Sequence, residues 1–114
     1  TDLLRHRLIG FDTDESMLRG FRLLGAEVTR ESFALRSDDH ILHWEAMRAG
    51  YGIAFTATYL ADRDTAVQRL LPDLGIPPLP VWLTTHREIH GSARIRTVFD
   101  FLAEALPPAM TIRR

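Results

Sequence analysis

The chain has 114 residues, 46% of them hydrophobic, with 14 basic and 15 acidic side chains and a formal net charge of −1. That length suits one compact domain, or a piece of a larger one, able to bury roughly 65% of its unfolded surface without staples. There is no cysteine, which excludes disulfides and thiolate metal sites, and no apolar run long enough to cross a membrane. The basic residues other than histidine are all arginine, scattered along the chain. Nucleic acid requires a concentrated positive surface, so the chain by itself is not expected to bind DNA. No signal-peptide core follows the basic start, and the expectation is a soluble cytoplasmic protein.

In chain order, Asp2 to Arg5 suits one helical turn, and Leu8-Ile9-Gly10-Phe11 a short strand. Asp12 followed by Glu15 has the spacing of a capping box and predicts a helix to about Leu24, ended by Gly25. Met17, Leu18, Phe21 and Leu24 share one face of that helix. Residues 32–36 read as a second strand. Ser37-Asp38-Asp39 then offers oxygens to cap a helix from His40 to Ala49, whose first amides have no internal partner. Its apolar residues form no single stripe, so covering on more than one side is expected. Gly50 stops it. Gly52 to Thr56 predicts a buried strand, followed by a helix start at Thr58-Tyr59-Leu60-Ala61.

Val67 to Leu71 is a candidate third or edge strand, and Pro72 to Pro78 a turn-rich crossing or hinge. Val81-Trp82-Leu83-Thr84-Thr85 predicts a strand of bulky, β-prone residues. Ser92 is placed to cap a helix in which Ile95, Val98, Phe99, Leu102, Ala105 and Leu106 cover little more than a third of the circumference. Pro107-Pro108 is expected to stop it. Alternating strands and helices argue for α/β with mainly parallel pairing.

Few residues suggest catalysis. His40 and His43, and His86 and His90, have spacings that could share a metal. No third ligand is evident, and His-Arg-Glu-Ile-His is not the zinc-protease order; exposed histidines and no metal are expected. Gly91-Ser92-Ala93 lacks the second glycine of a nucleophile elbow. Gly50-Tyr51-Gly52 stops a helix and starts a strand, so it is not a phosphate loop. The acids at 12, 14 and 15 fit the positive end of a helix. No enzyme activity and no cofactor are expected. Ser37, in contrast, stands where a strand gives way to a helix, the position at which open α/β sheets present hydroxyls and amides to ligands. Phe55 and Thr56, at the end of the next strand, would flank the same opening.

Three stretches resemble the effector-binding domain of LysR-type transcriptional regulators. They are Ser37-Asp38 through Met47-Arg48-Ala49-Gly50-Tyr51-Gly52-Ile53-Ala54, Leu79-Pro80-Val81-Trp82-Leu83-Thr84-Thr85-His86-Arg87, and the helix from Ser92 to Leu102. They resemble the family's strand, helix and "V-x-x-G-x-G-I-A" segment, its late "L-P-x-W-L" strand and its closing helix. Asp2-Leu3 followed by Leu8-Ile9 also fits, so the resemblance runs over nearly the whole chain. Ala57 departs from it where the family often has Pro, and Tyr51 where Leu is common.

The resemblance implies an α/β, periplasmic-binding-protein-like type II fold with a small-molecule effector held between lobes. Residues 1–78 resemble the second lobe, 79–106 the strand and helix that return to the first, and 107–114 a C-terminal tail. The implied function is ligand sensing and oligomerisation, with DNA reached only through an N-terminal domain that has no counterpart here and no membrane involved. Ser37, Phe55 and Thr56 are expected to face the effector. Met17, Phe21 and Leu24 of one helix, and Ile95, Phe99 and Leu102 of the last, are expected at a homo-oligomer interface. A solute-binding protein of the same fold class is the alternative.

Overall fold

The computed structural model describes residues 2–111, and the chain divides between Gln68 and Arg69 into two compact units. The first unit opens with a 3-10 turn at Asp2–Arg5 and continues through β1 (Leu8–Gly10), α1 (Ser16–Leu23), β2 (Phe33–Arg36), α2 (His40–Arg48) and α3 (Thr58–Ala61). The second contains α4 (Ala93–Met110).

β1 and β2 pair in parallel, with Leu8 opposite Phe33, Ile9 opposite Leu35 and Gly10 opposite Arg36, and an irregularity between Leu8 and Ile9. The other edge of β1 is taken by Ile53, which bridges Leu8 in parallel. Ile9 N–H donates to the Ile53 carbonyl at 2.8 Å, and Ile53 N–H to the Arg7 carbonyl at 2.8 Å. The strand expected over 52–56 is therefore a single bridge. β1 is too short to offer a longer ladder on that edge, and beyond the bridge Phe55 turns to meet the Phe21 ring, 5.7 Å away edge to face.

β1 is buried along its whole length, as a central parallel strand should be. Around it Leu8, Phe21, Val28 and Phe33 form the core, with Leu3, Met17, Leu18, Ala26 and Ile53 packed against them. Two glycines make this packing possible. A Cβ on Gly10 would meet the Phe33 ring, and one on Gly52 would overlap the Arg7 carbonyl oxygen.

α1 begins later than the capping-box spacing predicts. Glu15 occupies the position before it and makes no side-chain cap bond; Asp14 Oδ1 instead accepts from Ser16 N–H at 2.8 Å. Asp12 is occupied elsewhere, its carboxylate 2.6 Å from Arg30. Gly25 leaves the helix at φ +79° and Gly50 leaves α2 at φ +78°, the left-handed conformation that glycine adopts without steric cost. Asp39 caps α2, accepting from Ile41 N–H at 2.9 Å and Leu42 N–H at 3.4 Å. Only one side of α2 is covered: Ile41 and Leu42 are exposed, while His43 is buried. At its far end Arg48 reaches Asp64 at 2.7 Å and ties α2 to the chain beyond α3.

From residue 67 onward the chain departs more from the sequence expectations. Residues 67–71 form no strand; Leu71 lies at φ +49°, which a bulky residue in a strand cannot adopt, and its carbonyl closes a turn from Leu74 N–H at 3.0 Å. Val81 to Thr85 forms no strand either, because a strand exists only against a bonded neighbour and none is present among the described residues. α4 passes through Pro107-Pro108 to Met110. The two prolines remove the N–H donors owed to Ala103 and Glu104, close to the helix end, while their fixed φ remains helical. Thr111 Oγ1 then donates to the Pro107 carbonyl at 2.8 Å. Ser92 precedes α4 as expected, but its hydroxyl makes no cap bond.

The two kinds of glycine environment give opposite expectations for alanine. Gly52→Ala must push Ile53 off β1 and should destabilise the fold by about 1–3 kcal/mol. Gly20, inside α1 with open space around it, should stabilise it by about 0.5–1 kcal/mol when replaced by alanine. Urea unfolding midpoints of the two variants, measured against the wild type, check both signs.

Candidate functional site

The parallel pairing brings three chain segments to the same edge of the sheet. Residues 11–14 leave β1, residues 37–39 leave β2, and residues 54–56 follow the Ile53 bridge. In open α/β sheets this carboxyl edge is where ligands are held.

Ser37 extends the β2 side, its N–H donating to the Gly10 carbonyl at 3.0 Å. Its Oγ accepts from Asp39 N–H at 3.1 Å, which leaves the hydroxyl proton available to donate. The Ser37 carbonyl lies 2.6 Å from His43 Nε2, so the imidazole carries its proton on that nitrogen in this contact. The same ring stacks on Phe11 at 5.1 Å and 27°, and His40 approaches Phe11 edge-on at 5.2 Å. His43 is only 3% exposed, contrary to the expectation of exposed histidines. The three-residue spacing does put both rings on one helix face, but around a phenylalanine. Among the described residues no three His, Cys, Asp or Glu side chains are grouped to hold a metal.

Asp38 is the residue whose role the sequence did not disclose. From the loop after β2 its carboxylate accepts from the loop after β1: Asp12 N–H at 2.9 Å, Thr13 N–H at 3.1 Å, Asp14 N–H at 3.3 Å and the Thr13 hydroxyl at 2.5 Å. The Thr13 hydroxyl, followed by the three amides, lowers its pKa from 3.8 to about 2 against the opposing effect of desolvation. The available signal was the run Ser37-Asp38-Asp39, which holds more acceptors than one helix cap can use.

Phe55 and Thr56 stand across the end of β1 from Ser37. Thr56 is exposed, and Phe55 keeps about a third of its surface in solvent while touching Phe21. The residues expected at an oligomer interface divide. Phe21 is 3% exposed in the core and cannot also anchor a partner, because its ring is needed against Leu8, Val28 and Phe33. Met17 packs against that core, whereas Leu24 is half exposed. In the second unit Phe99 and Leu102 are half-buried and Ile95 is more exposed. Phe99, with the His90 ring 5.4 Å away, lines an open depression of about 390 Å³ together with Leu83, Thr84, Thr85, Arg87 and His90.

Comparison with protein families gives a match to the LysR substrate binding domain over residues 1–107. The chain belongs to this family. LysR substrate-binding domains have a periplasmic-binding-protein-like type II fold, serve as small-molecule-binding modules and belong to transcriptional regulators. No curated protein and no solved structure matches the chain. No helix among the described residues is long and apolar enough to cross a membrane.

The Asp38 bonds set an acid dependence for this LysR domain. Its folded pKa lies below the unfolded value, so its stabilisation is complete above about pH 4 and is lost as pH falls through about 2. Amide resonances of Asp12, Thr13 and Asp14, followed by NMR over that window, should move together. In Asp38→Asn, the stability change across the same interval should be smaller than in the wild type.

Proposed function

We propose that the chain is the effector-sensing part of a LysR-type transcriptional regulator, one that receives a small molecule at the carboxyl edge of its sheet. Ser37 donates a hydrogen bond through its free hydroxyl proton, Thr56 offers a second hydroxyl, and Phe55 supplies an apolar wall. The observation that carries this reading is the family match over residues 1–107. The meeting of three strand-end segments supports the location. Effector binding shifts the balance between two arrangements of the regulator, and a separate N-terminal domain makes the DNA contacts.

In this reading residues 1–78 are the second lobe, and 79–106 are the strand and helix that belong with the first. The exposure of Leu79 at 89%, Val81 at 61%, Trp82 at 81% and Phe101 at 67% supports that division. Covering each such side chain stabilises by about 1.5–3 kcal/mol. Oligomerisation through this region, with Ile95, Phe99 and Leu102 of α4, follows from the same argument, and the exposed Leu24 of α1 forms a second contact.

Two experiments test the proposal. A thermal-shift screen with small carboxylates, amines and neutral aromatics identifies a compound that raises the melting temperature, and calorimetry then compares variants. Ser37→Ala and Thr56→Ala should each weaken binding by about 3–10-fold, the value of one hydrogen bond; unchanged affinity in both removes these residues from the site. Light scattering at working concentration should give a species larger than one chain, and a strict monomer would overturn the oligomer assignment.

A further inference from the structure

Asp38 holds the loop after β1 from the loop after β2, across 24 to 26 residues of chain, and Asp39 already caps α2. The cap therefore does not explain Asp38. The neighbouring acids are also engaged, Asp12 by Arg30 at 2.6 Å and Asp14 by Ser16 N–H at 2.8 Å, so neither competes for the Thr13 hydroxyl. The third segment of the edge has no such link. Among the described residues 54–56 make no hydrogen bond to either loop, and Phe55 meets Phe21 by ring contact alone.

The geometry points to Asp38 as the positioning residue of the effector edge, a latch that joins residues 11–14 and 37–39 into one rim and fixes where the Ser37 hydroxyl stands. The inference rests on the reading of this edge as the effector site. One carboxylate meets four donors that would otherwise turn to water, and its own backbone is continuous with Ser37. The depressed pKa keeps it ionised throughout the neutral range, so the latch does not open with ordinary changes of pH. It sets the rim before any ligand arrives, and preorganisation of this kind lowers the ordering cost of binding.

Amide hydrogen exchange by NMR at neutral pH tests the latch without any effector. Asp38→Ala should speed exchange at Asp12, Thr13 and Asp14 by about tenfold while Ile9 and Ile53 stay within about twofold. Asp38→Asn keeps the oxygen that accepts from the three amides and loses the one facing the Thr13 hydroxyl, so it should recover much of the protection. The Asp39 amide, bonded to Ser37 Oγ, should shift in the alanine variant and return toward its wild-type position with asparagine. Unchanged exchange at 12–14 in Asp38→Ala overturns the proposal, and so does equal loosening of Ile9 and Ile53. Should the alanine variant fail to fold, Thr13→Val decides: it removes one of the four bonds, so a rise in exchange of about two- to threefold confined to 12–14 supports the latch, and no change sinks it. Because no ligand enters, failure here is distinct from failure of the Ser37→Ala binding comparison.

Discussion

Three residues, Leu8, Ile9 and Gly10, constrain the first unit more than any other element. Their backbone is bonded on one edge to β2 and on the other to Ile53, and all three residues are buried. A parallel strand so short supplies few hydrogen bonds, so its hold on both neighbours depends on close approach. Gly10 admits the Phe33 ring, and Gly52 admits the Arg7 carbonyl. The same three residues decide which chain segments meet, because the ends of β1, β2 and the Ile53 segment all open in one direction.

That shared direction gives the carboxyl edge its chemistry. Amides that would serve an anionic ligand at such an edge are already taken by carboxylates of the chain itself, Asp38 on residues 12–14 and Asp39 on the start of α2. Hydroxyls and aromatic surface are left, from Ser37, Thr56 and Phe55. His43 supports the arrangement from below, bonding the Ser37 carbonyl and stacking on Phe11. A polar group buried this deeply is tolerated because it is partnered.

The second unit follows a different balance. α4 has no buried residue, although its sequence presents a clear apolar face, and residues 81–85 carry strand-forming side chains without a strand. Most helical stability in proteins comes from packing an apolar face against another element. The wealth of uncovered leucine, valine, tryptophan and phenylalanine here is the physical ground on which the proposed interface rests.

Features set by one or two neighbouring residues could be read directly from the chain. Gly25 and Gly50 stop helices because only glycine turns left without cost, and Asp39 caps α2 because its oxygen reaches amides two and three residues ahead. β1 and β2 were legible from their short apolar runs for the same local reasons, and Ser37 could be placed at a strand end. Whatever depends on distant partners emerged with the folded structure. It gave Asp38 its donors 24 to 26 residues away, buried His43 against Phe11, moved Phe21 from an expected surface into the core, and reduced 52–56 to one bridge. It withheld strands from 67–71 and 81–85, since β propensity becomes a strand only where another backbone lies within hydrogen-bonding reach.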